Sequence, residues 1–116
     1  SRRMQVVGNM NFKNSNLILI DDYGHHPTEV RVTLETAKRY VQSGRVIAIF
    51  QPHRYSRTAM FVEEFAEVLA IADRIYLLEI YAASESPMLG VSSILIANSM
   101  NSEKIVKTVG PTPRLN

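Results

Sequence analysis

The sequence predicts an α/β domain in which helices cover a parallel sheet. Two observations lead to this fold class: short aliphatic runs typical of buried strands, and amphipathic segments of helical period between them. The resulting alternation of strand and helix, repeated along the chain, is that of βαβ units. A length of 116 residues suits one domain with a hydrophobic core of its own.

The first half of the chain supplies a strand and a helix. The aliphatic run at 17–20 predicts a strand, and the opening "RRMQVVG" predicts another extended piece. A helix is predicted to begin at Pro27, because proline suits the first helical position and Glu29 adds an acid to the first turn. Gly44 is the predicted end of this helix.

The second half repeats the alternation. Residues 46–50 predict the second strand, 74–80 the third and 104–109 the fourth, with a shorter helix around 92–100. Between the second and third strands lies an amphipathic segment with an apolar stripe of five residues, Phe61, Phe65, Val68, Leu69 and Ala72. Right-handed crossovers would place the carboxyl ends of all these strands at one edge, where ligands bind in such sheets.

Composition excludes several classes of protein. Hydrophobic residues make up 46% and charged residues 21%, as in ordinary globular domains, and no apolar run approaches the roughly 20 residues of a membrane helix. The formal charge of +2 is too small to indicate nucleic-acid binding, and the basic residues form no stripe. The absence of cysteine excludes disulfides and thiolate chemistry, which fits a cytoplasmic protein.

Polar loops follow the first two predicted strands, and both leave the sheet at the same edge. The segments "DDYGHHP" and "QPHRYSRT" hold all three histidines of the chain, together with Arg54 and Arg57. Gly24 permits a tight turn, and His26 is pushed out of helical geometry by the proline that follows it. The helix that begins at Pro27 would turn free N–H groups toward this edge, and the arginines suit a carboxylate or a developing oxyanion.

Each of these residues also has a structural interpretation. Asp22 could cap the helix or satisfy turn amides, Tyr23 could pack over the sheet edge, and the arginines could be solvated charges. His26, beside proline, is the histidine we expect to shape the turn. The convergence of so many polar groups at one sheet edge nevertheless favours a ligand site.

A metal site is an alternative use of the same loops. Five residues carry ligand atoms for zinc or manganese: Asp21, Asp22, His25, His26 and His53. Two features count against it, since successive residues leaving a strand point in opposite directions and the nearby arginines repel a cation. The chain also lacks a GxxxxGK[ST] phosphate loop, a GxGxxG motif and a GxSxG elbow, so an ATP-using enzyme would hold the nucleotide phosphates elsewhere.

Three segments resemble the C-terminal domain of the Mur ligases: "DDYGHHPTEV", "FQPHRYSRT" and "EIYAASESPMLGVSS". The opening "RRMQVVG" is similar to the segment that leads into that domain, so the resemblance covers nearly the whole chain. It implies that residues 1–116 form one domain of a three-domain enzyme, with 1–12 as linker and first extended segment. The implied fold is a Rossmann-like, mostly parallel sheet with helices on both faces, incomplete at the C-terminus.

The resemblance also implies an activity. Mur ligases make peptidoglycan precursors in the bacterial cytoplasm, using ATP and Mg²⁺ to activate a carboxylate as an acyl phosphate that an amino group attacks. The motifs are most similar to the branch that joins L-alanine to UDP-N-acetylmuramate. The N-terminal and central domains would hold the UDP-sugar, most of the ATP contacts and the metal, so the isolated segment is expected to be inactive. No nucleic acid and no membrane are expected as partners.

The family motifs imply a role for six residues. Asp22 would bind the ribose hydroxyls of ATP, and Tyr23 and His25 would face the junction of acyl phosphate and amino acid. The alanine carboxylate and the tetrahedral intermediate would be held by His53, Arg54 and Arg57. The predicted catalytic residues are therefore His25, His53, Arg54 and Arg57, and no protein metal ligand is predicted. In the third segment the chain departs from the family, with Ala82 where a proline is common.

Three other functions remain open at this stage. A ligase that attaches a tripeptide to UDP-N-acetylmuramate in cell-wall recycling has a similar first loop, but typically carries phenylalanine and alanine in place of Tyr23 and Gly24. A stand-alone module could bind a small carboxylate or a nucleotide. A small metallohydrolase would use the metal ligands described above.

Overall fold

A computed structural model describes residues 6–12, 15–21, 26–100 and 105–109. Within them, five strands form one sheet in the order β1-β2-β3-β4-β5. Their bounds are β1 Val6–Phe12, β2 Ser15–Asp21, β3 Arg45–Phe50, β4 Arg74–Leu78 and β5 Ile105–Val109. β2 to β5 pair in parallel, and β1 pairs antiparallel with β2. The predicted mostly parallel α/β sheet is confirmed, and the described part of the opening extended piece, residues 6–8, belongs to its antiparallel first strand.

Four helices lie between the strands in the described part of the chain: α1 Pro27–Val41, α2 Tyr55–Met60, α3 Val62–Leu69 and α4 Ile94–Ser99. α1 begins at the predicted proline but ends before the predicted Gly44. Gln42 leaves the helix with a positive φ of 56° while its N–H donates to Lys38 O at 3.0 Å. The predicted single amphipathic segment is two helices, because Phe61, at φ −118° and ψ 26°, breaks the helical geometry between them.

The core lies between the sheet and one layer of helices. α1 contacts α3, and α3 contacts α4, with buried side chains such as Leu34, Phe65 and Ile96 packing on the inward residues of β3 and β4. α1, α3 and α4 are therefore neighbours in one layer. The strand order runs from β2 to β5 without a reversal, so right-handed crossovers place every connecting helix on the same face.

Candidate functional site

The end of the first polar loop is fixed by His26. Its Nδ1 accepts a hydrogen bond from the Thr28 backbone N–H at 3.1 Å, which makes it the N-cap of α1. Its ring lies 4.9 Å, between centroids, from that of Phe61 at the break between α2 and α3. His26 therefore has a structural role at the start of α1 and contacts the helices that follow the second loop. Asp22, Tyr23 and His25 lie outside the described residues.

The second loop is paired to the loop that follows β4. His53 forms a parallel bridge with Tyr81, in which Arg54 N–H donates to Tyr81 O at 2.7 Å and Tyr81 N–H donates to Pro52 O at 2.8 Å. The rings of His53 and Tyr81 meet edge to face, 5.3 Å apart. These contacts extend the β3–β4 pairing past the strand ends, so His53 is held by backbone hydrogen bonds at the carboxyl edge of the sheet.

Arg54 has an unusual backbone conformation. It has φ 75° and ψ 136°, a region that costs a residue with a Cβ about 1–3 kcal/mol and that glycine tolerates. Its N–H is held by Tyr81, and its carbonyl accepts from Thr58 N–H at 3.2 Å and from the fully buried Thr58 hydroxyl at 2.7 Å. The guanidinium side chain is exposed. The surroundings thus fix a strained backbone that leaves the cation facing solvent.

Glu85, from the loop after β4, caps the start of α2. One carboxylate oxygen accepts from the backbone N–H groups of Tyr55 and Ser56, and the other accepts from the Ser56 hydroxyl. The Ser56 hydroxyl, with these two N–H groups and the Arg54 charge, holds the pKa of Glu85 below its ordinary value, against the opposing effect of burial. The first amides of α2 are thereby occupied by the protein's own carboxylate.

The structure brings together the predicted residues of the second loop. His53 precedes α2, Arg54 is its N-cap and Arg57 lies one turn further along. Sequence reasoning missed Tyr81 and Glu85. Glu85 is 29 and 30 residues away from its two partners, and no local spacing signals a contact of that kind.

The described residues do not form a metal site. Nowhere in 26–100, where side chains are described, do three His, Asp or Glu residues come together as potential ligands. Of the histidines predicted as alternative ligands, His26 caps α1 and His53 contacts Tyr81. In the same described ranges no helix has the length and apolar character needed to cross a membrane.

Comparisons with known proteins agree with the predicted family. The family model described as "Mur ligase, glutamate ligase domain" matches residues 2–113. A UDP-N-acetylmuramate–L-alanine ligase of Mycolicibacterium smegmatis is 48% identical over 99 residues, which are 84% of this chain and 20% of that protein. One from Hydrogenobaculum sp. is 42% identical over 105 residues, covering 90% of this chain and 22% of its own length.

A solved structure is similar over the same region. The crystal structure of UDP-N-acetylmuramate-alanine ligase from Thermotoga maritima superposes with a TM-score of 0.61 and 29% identity, covering 94% of this chain and 21% of that one. The chain thus spans about a fifth of the length of the relatives that it matches. Since the family model covers almost the whole sequence, the chain belongs to the Mur ligase glutamate ligase domain family.

Proposed function

We propose that this chain is the C-terminal domain of an ATP-dependent amide ligase that joins L-alanine to UDP-N-acetylmuramate in peptidoglycan precursor synthesis. The support is the family match together with relatives named for that reaction. Because the chain corresponds to about a fifth of those relatives, the UDP-sugar and nucleotide phosphates would be bound by N-terminal and central domains. The ligase would work in the cytoplasm and supply precursors for the wall that maintains cell shape and division.

The observation that carries the proposal is the conformation of Arg54. An arginine occupies a backbone position that glycine would adopt without strain, and its guanidinium is exposed at the carboxyl edge of the sheet. Strain of this kind is concentrated at functional sites, where the surroundings hold the residue in place. Arg57 adds a second cation one turn along α2. Two guanidinium groups at this edge suit an anionic substrate.

These residues would bind and orient the amino acid. Arg54 and Arg57 would hold the carboxylate of L-alanine, so that its amino group meets the acyl carbon of the activated muramoyl group. As the C–N bond forms, the carbonyl oxygen becomes an oxyanion, and expulsion of inorganic phosphate then restores the carbonyl. Fixed cations beside that oxygen, with His53, would lower the barrier. Tyr23 and His25 remain predicted contacts at the same junction, with His25 as a catalytic residue.

ATP would supply the phosphoryl group that activates the muramoyl carboxylate. The described residues do not fit Mg²⁺, because the structure shows no group of three potential ligands among them, and the sequence holds no phosphate loop. We therefore assign the metal and the nucleotide phosphates to the central domain. Asp22 remains the predicted contact of this chain with the ATP ribose.

The test is alanine-dependent phosphate release by the full-length ligase that contains this domain. We expect Arg54→Ala to lower kcat/KM by about 100-fold or more, the usual effect of removing one donor to an oxyanion, and His25→Ala to lower it strongly as well. Arg39→Ala, on the exposed side of α1, is the matched control and should retain wild-type activity.

Other results would identify other functions. Near-wild-type rates for both Arg54→Ala and His25→Ala would overturn the residue assignments. Phosphate release with a tripeptide but not with L-alanine would identify the recycling ligase. Micromolar binding of L-alanine or ATP by the 116-residue chain, without any ligase activity of the full protein, would favour a stand-alone binding module. Tight zinc binding with hydrolase activity would favour the metallohydrolase.

A further inference from the structure

We propose that Glu85 is a positioning residue for the carboxylate-binding arginines. Its hydrogen bonds to Tyr55 and Ser56, called the clamp below, fix the start of α2. The inference rests on the proposed function, in which Arg54 and Arg57 bind the amino-acid carboxylate. Glu85 comes from a different loop, the one that follows β4, and its partners Tyr55 and Ser56 lie between the two arginines.

The local sequence of α2 leaves its first turn without a cap. α2 has only six residues, its N-cap Arg54 makes no side-chain capping hydrogen bond, and no acid lies in its first turn. A helix of this length is not stable by itself, and Arg54 at its positive end opposes the helix dipole. The conformation that presents the arginines therefore needs support from outside the helix.

Glu85 supplies that support in two ways. Its carboxylate accepts from the two leading N–H groups of α2 and from the Ser56 hydroxyl, which replaces the missing cap. It also places a negative charge near Arg54, which offsets the unfavourable position of that cation.

Both carboxylate oxygens are engaged with the protein, one with the two amides and the other with the hydroxyl. Glu85 therefore acts through the arginines, and we assign it no direct contact with the substrate. Because the clamp touches only the segment that carries the arginines, its loss should weaken binding of the amino acid and leave ATP and UDP-N-acetylmuramate unaffected.

The experiment compares Glu85→Ala and Glu85→Gln with wild type in the full-length ligase, by steady-state kinetics for each substrate and by hydrogen exchange of residues 53–58. Glu64→Ala is the matched control, since Glu64 is an exposed acid in the first turn of α3. For Glu85→Ala we expect faster exchange of residues 53–58. We also expect KM for L-alanine to rise about tenfold, which is the effect of losing about one charge-assisted hydrogen bond. KM for ATP should not change.

Glu85→Gln should be intermediate in both measurements, because its amide oxygen can still accept from the backbone N–H groups while its amide nitrogen cannot accept from the Ser56 hydroxyl. This partial rescue separates positioning from a general loss of stability. Equal increases in KM for all three substrates would overturn the proposal, as would wild-type exchange of residues 53–58 in Glu85→Ala. If the wild-type enzyme released no phosphate with L-alanine, the proposed function would fail, while the exchange data would still decide whether the clamp exists.

Discussion

Arg54 combines a strained backbone with an exposed charge, and the two properties can be separated by substitution. Glycine adopts φ 75° and ψ 136° without a Cβ penalty, whereas alanine keeps the penalty and, like glycine, lacks the guanidinium. We therefore predict that Arg54→Gly is more stable than Arg54→Ala by about 1–3 kcal/mol, while both lose ligase activity to the same extent. Urea unfolding of the two variants measures the difference.

The control is the same pair of substitutions at a position with ordinary helical geometry. Arg39, exposed in α1, should show the reverse order, because glycine in a helix interior is about 1 kcal/mol less favourable than alanine. If glycine destabilised the protein relative to alanine at both positions, the strain at Arg54 would be disproved.

Glu85 gives the stability a defined pH dependence. Because its pKa is lowered in the folded protein, its stabilising contribution is present above the ordinary value of 4.5 and is lost as pH falls through the lowered value. Glutamine does not titrate. The difference in Tm between wild type and Glu85→Gln should therefore be constant at neutral pH and shrink below pH 4.5. A difference that grew on acidification would contradict the assignment, and Glu64→Gln controls for loss of an exposed carboxylate.

At the scale of elements, Asp73 ties the end of α1 to the beginning of β3. Its carboxylate accepts from the buried Val46 N–H at 2.8 Å and pairs with Lys38 Nζ at 3.0 Å. The ion pair is partly exposed and contributes at most about 1 kcal/mol, whereas a buried amide without its acceptor costs about 1–3 kcal/mol. We predict that Asp73→Ala destabilises the chain more than Lys38→Met does.

Asp73→Asn is the informative companion, since its amide oxygen can still accept from Val46 N–H. Its free energy of unfolding should lie close to that of Lys38→Met. Chemical denaturation of the three variants tests this order, and equal losses for Asp73→Ala and Lys38→Met would show that the ion pair, and not the amide, is the important contact.

An element could be predicted from the sequence when neighbouring residues alone determine it. Pro27 starts α1 because proline favours the first helical position whatever surrounds it, and the parallel strands follow from their aliphatic runs. The end of α1 at Gln42 and the break at Phe61 are seen in the backbone angles of those two residues, and the sequence pattern shows neither. In the site, His53 and Arg54 could be predicted because ligands bind at the carboxyl ends of parallel strands. Glu85 could not, because the pairing of two loops brings it to α2.

At the scale of the whole molecule, the site depends on a strand order that never reverses. The order β2 to β5 stacks α1, α3 and α4 in one layer and puts the carboxyl ends of the strands side by side. The loop after β3 therefore meets the loop after β4 directly, through the bridge between His53 and Tyr81. The start of the segment that carries Arg54 is thus positioned by the pairing of the two loops that follow β3 and β4.

Because β4 and the helices share one hydrophobic cluster, removing a buried side chain of β4 should lower the stability of both the sheet and the helical layer. Leu77 is fully buried in β4, pairs with Phe50 of β3 and belongs to the cluster that includes residues of α1, α3 and α4. We predict that Leu77→Ala lowers the free energy of unfolding by about 2–5 kcal/mol, as cavity-forming substitutions do. Leu89→Ala is the matched control, because Leu89 is fully exposed and should change stability by less than about 0.5 kcal/mol.

Urea unfolding followed by circular dichroism and by tyrosine fluorescence should give coincident transitions for both variants, since helices and sheet share one cluster. Transitions that separated in Leu77→Ala would show that the helical layer and the sheet unfold independently, which the shared core does not permit.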